Sequence, residues 1–387
     1  MRTLLRRARA DGGYTRRMNA RHLREFAPRS FSVLACSLAT LLLGACGNYF
    51  RTDPDLGDIR GSIVPSEAAA PRALFMFEGE TGRALSWADV MAAASWADAI
   101  FIGERHDDPV SHLVQLAIYE DLVAGYPGTA LALEHLERHE QPIVDRYLRG
   151  EISVDTFIDE TGSRNWAGKD TWVRFFQPLV DAADEASAPV VAANAPRDYV
   201  RRARVEGYDA LNRLPATERD LFDLPQTRGS KLFGDRWQQQ WDAYLQRFRE
   251  IMSSTDDDLA DPAVRERIDT IFLSQSVWDA TMGASAARAL DAGAPKVVLC
   301  AGCFHIEQDG GTVLQFTALR PDARVLTITV IDASSDRLLD VHRRAADIVI
   351  YGFPVDRAKP AESGEPSGAA DKQPAQTEEP AQTAPSA

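Results

Sequence analysis

The clearest pattern along the chain is a short apolar run that ends abruptly in acidic residues and histidines. The run stops at Glu104, and His106 and His112 follow closely. An uninterrupted run of β-prone apolar residues is typical of a strand buried on both faces. Asp108 and Pro109 are residue types that cap and begin a helix. The pattern predicts a strand, a loop and a helix, with Glu104 and His106 beyond the carboxyl end of the strand.

Five later apolar runs have the length and composition of further strands. They cover 130–134, 189–194, 296–301, 324–331 and 347–351. Segments long enough for helices separate the first three of these runs from one another and from the opening strand. Because alternation of this kind favours an α/β fold, we predict a mostly parallel β-sheet flanked by helices.

The region from about 198 to 290 is different, because it has a helical pattern and no convincing strand. Four aromatic residues within it recur at spacings of three and four, which places them on one helix face: Trp237, Trp241, Tyr244 and Phe248. Packing between helices is one explanation of such a stripe, and a lid over a large planar ligand is the other. We predict a helical subdomain inserted at about 198–290.

The two ends of the chain differ from its centre. The first 45 residues carry nine Arg and two acidic residues, and they include an apolar run too short to span a bilayer comfortably. Small residues then precede Cys46, an order that resembles a bacterial lipoprotein signal whose Cys is lipidated. An ordinary secretory signal is the alternative. We predict a signal peptide at 1–45, a tether at 46–70, a domain at 71–355 and a disordered tail at 356–387.

Composition and charge narrow the range of partners. The chain has 387 residues, an ordinary globular balance of 45% hydrophobic and 26% charged residues, and a net charge of −14. Removing nine Arg and two acidic residues with the signal peptide makes the mature charge about −21. Such an acidic surface repels nucleic acid, so attachment to a membrane would come from acyl chains on Cys46. Because Gly47 rather than Asp follows that Cys, the resemblance to a lipoprotein signal implies that the protein is sorted to the periplasmic face of the outer membrane.

Two cysteines would remain in the mature chain beside the lipidated one. Cys300 and Cys303 have a spacing that can close a disulfide, which the periplasm permits. Two free thiols are the alternative. His305 comes one residue too late for the motif that attaches c-type haem covalently, so we do not expect covalent haem.

Polar groups capable of chemistry follow four of the predicted strands. They are Glu104 with His106, Glu134 with His135, Asn194, and His305. Because the carboxyl ends of parallel strands meet at one edge of a sheet, we expect these groups to share a pocket. Carboxylates and imidazoles together suit a divalent metal ion or general acid–base chemistry. In the metal interpretation the ligands are Glu104, His106, Glu134 and His305, and no residue is assigned a catalytic role.

Three other residues near these strand ends have both a functional and a structural interpretation. His112 lies in the first turn of its helix, whose positive end favours a neutral imidazole that can take a proton or bind a metal. His135 ranks lower because it points away from Glu134 along the strand. Asn194 lies just before Pro196, where a cap or turn that satisfies backbone groups is the alternative.

These residues also carry a resemblance to a known family, the ChaN-like haem-binding lipoproteins. The wider grouping includes Tiki and TraB proteins and erythromycin esterases. The similar segments are 103–107 with His112, 131–134, 172–179, 190–197, 274–282 and 301–305, so the resemblance spans about 85–315. Each segment is weakly specific alone, and their combined order is specific.

The resemblance implies an α/β domain with a helical subdomain, lipidation at the outer membrane, and haem binding in iron acquisition with two haems between paired chains. The related branches imply hydrolysis instead, with the Gly-Glu-x-His element serving a metal ion or an acid–base pair. The partners expected are therefore haem, a membrane reached through the lipid anchor and a second copy of the chain. Whether the protein is also an enzyme stays open.

Segment 274–282 places four residues on one helix face: Gln275, Trp278, Asp279 and Met282. Core packing is the structural alternative for Trp278 and Met282. Because an unpaired buried carboxylate is costly, we expect Asp279 to orient His305 or His112. We therefore include Trp278 and Asp279 among the pocket residues.

The chain departs from the family pattern at two aromatic residues. Phe304 replaces the second Gly of the turn before His305, and Phe176 stands where relatives tend to have Tyr. Tyrosine oxygen is a known type of haem ligand. Tyr199 and Tyr244 are the alternative tyrosines, since they flank or enter the helical region.

Overall fold

The computed structural model of the protein describes residues 71–226, 234–253 and 258–352. Its centre is a sheet of eight strands. The strands are β1 Phe75–Glu78, β2 Ala84–Leu85, β3 Ala99–Glu104, β4 Ala130–Glu137, β5 Val190–Asn194, β6 Val297–Gly302, β7 Val325–Asp332 and β8 Ile348–Gly352. Their order across the sheet is β2-β1-β8-β7-β3-β6-β4-β5.

The sheet is mostly parallel. β1 runs antiparallel to β2 and to β8, and the other five pairings are parallel. This confirms the predicted α/β class, and each of the six predicted strands is present. β1 and β2 were not predicted, because runs of four and two residues are too short for their alternation to stand out.

Helices cover both faces of the sheet. They are α1 Trp87–Trp96, α2 Pro109–Gly125, α3 Gln141–Leu148, α4 Val154–Thr161, α5 Gln177–Glu185, α6 Arg197–Glu206, α7 Tyr208–Asn212, α8 Ala216–Arg219, α9 Gly234–Met252, α10 Pro262–Asp291, α11 Cys303–Ile306 and α12 Gly311–Leu319. A π-helical turn, Trp172–Phe176, precedes α5.

Strand β3 is buried on both faces, as the uninterrupted apolar run predicted. Ile100 and Ile102 pack in the hydrophobic cluster that includes α1 and α2. Phe101 packs in the opposite cluster, which includes residues of α10 and α12. After β3 the chain turns, and the Asp108 side chain accepts hydrogen bonds from the first turn of α2, with Pro109 at its first position. The predicted strand, loop and helix are therefore all present.

The described part of the region predicted to be helical contains α6 to α10 and no strand. The aromatic stripe of α9 is buried rather than open to a ligand. Trp237 and Trp241 stack with their ring centroids 5.5 Å apart, and the stripe packs on Phe272 of α10 and Leu314 of α12. Of the two explanations of the stripe, core packing is the one observed.

The close approach of α10 and α12 depends on Gly283. A Cβ atom at this position would lie 2.8 Å from the amide nitrogen of Phe316 and 2.9 Å from the carbonyl oxygen of Thr312. Real Cβ atoms do not come this close to backbone, so only glycine lets the two helices meet here. The contact fixes α12 beside the part of α10 that carries Asp279.

The predicted signal peptide, Cys46, the tether and the tail lie outside the described residues, as do 353–355 of the predicted domain. Among the helices of residues 71–226, 234–253 and 258–352, none is long and apolar enough to cross a membrane. The strands that carry the candidate site, β3, β4 and β6, all lie within the described residues.

Candidate functional site

The carboxyl ends of three neighbouring parallel strands bring the predicted polar groups together. β3, β6 and β4 are adjacent in that order. β3 ends at Glu104, β4 carries Glu134 near its end, and β6 leads through Gly302 into α11, which holds His305. The side chains form two groups, one around Glu104 and one around Asp279.

Glu104 is the centre of the first group. Its side chain is fully buried, and its Oε1 lies 2.9 Å from Nδ1 of His106 and 2.9 Å from Nε2 of His135. Its Oε2 accepts a 2.6 Å hydrogen bond from Gln115 and lies 3.6 Å from Nδ1 of His112. Burial alone would raise the pKa of Glu104, but the nearby charges of His135 and His112 and the hydrogen bonds from His106 and His135 hold it well below its usual value.

His106 is the accessible member of this group. Its side chain is 42% exposed, while that of Glu104 is buried. Burial lowers the pKa of His106, but its hydrogen bond to Glu104 and the charge of Glu134 outweigh this and raise it. The Trp166 ring lies beside the imidazole at a centroid distance of 4.8 Å. His106 is therefore the part of this group that reaches solvent, and a buried anion holds it from behind.

Gly302 makes room for the His106 ring. A Cβ atom on residue 302 would lie 2.9 Å from Cε1 and 3.0 Å from Nε2 of His106. The same point lies 3.6 Å from Oε2 of Glu134, which accepts a 2.6 Å hydrogen bond from the amide of Gly302. The backbone there has φ −51° and ψ 141°, which other residues also adopt. Glycine is therefore needed here for space and not for backbone conformation.

His112 lies behind the rim. Its Nδ1 is 3.1 Å from Oε1 of Gln115, and its Nε2 is 3.2 Å from the carbonyl oxygen of His106. The ring is buried and stacks on Phe175 with a centroid distance of 4.4 Å. Burial lowers the pKa of His112 more than Glu104 raises it, which is the direction expected from the sequence but with burial as the main cause. His112 thus positions the loop that carries His106.

His135 belongs to the Glu104 group, although sequence reasoning ranked it low. It does point away from Glu134, and in doing so it reaches Glu104. Its ring is buried between Phe176, 3.8 Å away, and Trp166, 4.4 Å away. Its Nδ1 has no hydrogen-bond partner among the described residues. The signal that could have identified His135 is the alternation of β4, which puts it on the same face of the sheet as Glu104.

Asp279 is the centre of the second group. It is completely buried, and its Oδ1 lies 2.7 Å from Nδ1 of His305. Its carboxylate also accepts hydrogen bonds from Tyr244, at 2.7 Å, and from Thr312, at 2.9 Å. Nε2 of His305 lies 3.5 Å from Oε1 of Glu134. Asp279 therefore contacts His305, one of the two histidines considered for it, and not His112.

The charges of the second group reinforce one another. Burial lowers the pKa of His305, but the negative charges of Asp279 and Glu134 outweigh it and raise the pKa to about 10. Burial raises the pKa of Glu134, but the charge and hydrogen bond of His305 bring it down to about 2. At neutral pH these shifts favour an imidazolium on His305 beside a carboxylate on Glu134.

Two other predicted pocket residues support the site from outside it. Asn194 donates a 3.0 Å hydrogen bond to the backbone carbonyl of Glu134 and accepts one from the amide of Ala195. It therefore fastens the ends of β4 and β5 together. Trp278 is half-buried and packs against the hydrophobic clusters that contain Ala193 and Val200.

The donor set that could hold a metal ion differs from the one expected. Ligand atoms of Glu104, His106 and His135 all lie within 4.8 Å of one another. One carboxylate and two imidazoles are ligands that zinc and iron accept. The expected set contained Glu134 and His305 in place of His135, and these two residues pair with each other instead.

The structure also places the two cysteines and the two phenylalanines that differ from the family pattern. Cys300 and Cys303 are not joined, so the free thiols are the alternative observed. Phe304 packs on Tyr244 with a centroid distance of 4.9 Å, and Phe176 stacks on His135. Both phenylalanines thus line the walls behind the imidazoles.

Comparison with known protein families gives one match. The model of a family described as haem-binding uptake, Tiki superfamily, ChaN matches residues 90–316, which is more than half of the chain. No curated protein matches. The matched segment contains both groups of site residues.

Comparison with solved structures gives several similar folds. ChaN of Campylobacter jejuni, in a structure of cofacial haem binding, has a TM-score of 0.51 and 17% identity, covering 72% of this chain and 96% of that one. The type III effector HopBA1 has a TM-score of 0.38 and 16% identity, covering 75% and 99%. An erythromycin esterase mutant in its open conformation has a TM-score of 0.35 and 14% identity, covering 71% and 82%. The first of these likenesses shows a shared fold.

Proposed function

The chain belongs to the haem-binding uptake family of the Tiki superfamily that is described by ChaN, and from this premise we propose that it binds haem for uptake at the carboxyl edge of its sheet. The observation that carries the proposal is His106, a half-exposed imidazole held at 2.9 Å by the buried carboxylate of Glu104. An accessible imidazole with a fixed orientation is a ligand type that haem iron accepts.

The residues at this edge fit the chemical parts of haem. Iron needs a donor atom, the propionates favour a cation, and the porphyrin favours an aromatic or apolar surface. Beside His106 lie the exposed Arg105 and the half-buried ring of Trp166. The His106 ring packs against Gly302, where a Cβ atom would lie 2.9 Å from Cε1 and 3.0 Å from Nε2. When bound, haem would supply an iron centre to this edge of the sheet.

The buried residues of the site would act by positioning. Glu104 fixes the His106 ring through Nδ1, and His112 holds the backbone carbonyl of the same residue. Trp166 limits the movement of the ring on one side. Such outer partners orient a ligand and tune its strength as a donor.

Haem titration of the full chain in detergent tests this proposal. We expect the Soret absorption band of haem to shift when the protein is added. The change in absorbance should saturate at a fixed ratio of haem to chain. We also propose that two chains pair when haem is bound. Analytical sedimentation of the same samples measures this pairing. A titration in which the band stays at the position of free haem would contradict it.

We also propose that lipid on Cys46 holds the protein at the periplasmic face of the outer membrane. The order of basic, apolar and small residues before Cys46 supports this, and segment 46–70 would serve as the tether. Cells grown with labelled palmitate should yield labelled protein, and Cys46→Ser should lose the label. A wild-type chain without label would contradict the anchor.

A metal-dependent hydrolase is the second candidate function. The observation that favours it is the cluster of Glu104, His106 and His135, whose ligand atoms lie within 4.8 Å of one another. A divalent ion there could activate a water molecule for hydrolysis. Elemental analysis of the protein used for haem titration separates the two functions. Stoichiometric zinc or manganese that is lost in His135→Ala, together with no haem binding, would favour the hydrolase.

A further inference from the structure

The connection between α11 and α12, residues 307–310, holds two consecutive residues in the left-handed region of backbone conformation. The φ angles of Gln308 and Asp309 are 51° and 60°. Residues other than glycine rarely adopt this region, and such a conformation persists where the surrounding structure holds it. Because α11 carries His305 and ends at Ile306, the shape of this connection determines where the backbone of His305 lies.

Two glycines pack the connection directly against His305 and Asp279. A Cβ atom on Gly310 would overlap the carbonyl group of His305. A Cβ atom on Gly311 would overlap the carboxylate of Asp279 and lie 2.5 Å from Cε1 of Tyr244. Neither position has room for a side chain. A shift of the connection would therefore also change how His305 meets Asp279.

Arg247 of α9 bonds to the backbone on both sides of His305. Its guanidinium donates a 2.8 Å hydrogen bond to the carbonyl oxygen of Phe304 and one of 2.5 Å to that of Glu307. The guanidinium carbon lies 4.9 Å from the ring centroid of Phe304 and 5.5 Å from that of Tyr244. The two hydrogen bonds thus tie α9 to the residue before His305 and to the first residue of the connection.

A second side chain of α9 and a backbone carbonyl near β8 hold the left-handed residues themselves. Gln240 of α9 donates a hydrogen bond to Oδ2 of Asp309. The amide of Gln308 donates a 2.7 Å hydrogen bond to the carbonyl oxygen of Ala345. The connection is therefore held on one side by the segment that leads into β8 and on the other side by α9.

We propose that α9 positions His305 through Arg247 and Gln240. Both side chains act through residues that are close to His305 in the chain. The position that they maintain sets how the imidazole meets its two carboxylates, with Nδ1 2.7 Å from Asp279 and Nε2 3.5 Å from Glu134. The helical subdomain thereby controls a charged group at the carboxyl edge of the sheet, whatever ligand that edge binds.

NMR of the full chain in detergent, with isotope-labelled histidine and without haem, tests this positioning. The ring proton on Nδ1 of His305, which is bonded to Asp279, gives a signal that His305→Asn identifies by removing it. Arg247→Met keeps an apolar side chain between the aromatic rings and removes every donor. We expect that proton to exchange with solvent about tenfold faster or more, because a charge-assisted hydrogen bond is weakened. Arg247→Lys, which keeps a cationic donor, should restore part of the difference.

Arg249→Ala is the matched control, because Arg249 lies on the same helix. Its guanidinium pairs with Asp269 of α10, so its removal takes away a contact of α9 that does not involve the connection. Exchange of the His305 proton should then stay at the wild-type rate. Gln240→Ala should speed the exchange less than Arg247→Met does, and it decides the question if Arg247→Met fails to fold.

Two results would overturn the positioning role of α9. One is an unchanged exchange rate in folded Arg247→Met, or in Gln240→Ala if Arg247→Met does not fold. The other is an equal acceleration in Arg249→Ala, because any loosening of α9 would then be sufficient. Haem takes no part in these measurements, so the proposed function is tested separately.

Discussion

Replacing Glu104 with alanine should lower the free energy of unfolding by about 3–5 kcal/mol, because it removes one partner of a buried ion pair. The carboxylate accepts hydrogen bonds at 2.9 Å or less from His106, His135 and Gln115. Without it these groups would be left beside a cavity with no acceptor, and each unsatisfied buried group adds a cost of about 1–3 kcal/mol. Urea denaturation of wild type and variant measures the difference.

Two controls identify the cause of that loss. Glu104→Gln keeps the size and one oxygen acceptor, so its effect should be smaller than that of alanine. Glu160→Ala removes an exposed carboxylate that pairs with Arg146, and exposed pairs contribute only about 0–1 kcal/mol. A loss below about 1 kcal/mol in Glu104→Ala, equal to that of Glu160→Ala, would show that Glu104 does not organise the site.

Replacing Asp279 with alanine should have a loss of similar size, about 3–5 kcal/mol near neutral pH. Its buried carboxylate accepts hydrogen bonds from His305, Tyr244 and Thr312. Removal would leave Glu134 as the one carboxylate beside the imidazolium of His305. The pKa of His305 should then fall below its value of about 10, because one of the two negative charges that raise it is gone.

The loss in Asp279→Ala should depend on pH in a defined direction. A histidine whose pKa is raised on folding contributes its full stabilisation below its unfolded pKa of about 6.5. That contribution disappears as the pH rises through about 10, the pKa of folded His305. The difference between wild type and variant should therefore be larger at pH 7 than at pH 10. NMR titration of the His305 ring in both proteins checks the shift directly.

Asp291 is the matched control for Asp279, because it lies on the same helix. Its side chain is exposed and pairs with Arg320. Asp291→Ala should cost no more than about 1 kcal/mol, with no effect on His305. A stability loss in Asp279→Ala that is as small as this, or that grows between pH 7 and pH 10, would contradict the account of the second group.

Much of the fold could be predicted because apolar runs and turn residues report directly on buried strands and helix starts. The strand that ends at Glu104, the helix that begins at Pro109 and the parallel sheet all follow from local pattern. β2 was missed because a two-residue strand exists only through its pairing with β1. The aromatic stripe of α9 could not be interpreted from its own spacing, since Phe272 and Leu314, which cover it, come from other helices.

The site was predictable in its location and only in part in its contacts. Strand ends bring Glu104, Glu134 and His305 to one edge, as expected for parallel strands. The partner of each imidazole depends on which face of the sheet its side chain occupies. His135 was ranked by its relation to Glu134, its neighbour in sequence, whereas the residue it contacts is Glu104 on another strand. The burial cost of an unpaired carboxylate did indicate that Asp279 needs a partner, and that partner is His305.

Anomalous X-ray scattering at the iron absorption edge, from crystals of the haem-loaded full chain, is the most direct measurement of the central claim. The account predicts an iron peak at the carboxyl edge of the sheet, on the side where His106 is exposed, with Nδ1 of His106 still bonded to Glu104. An iron peak away from this edge would contradict it.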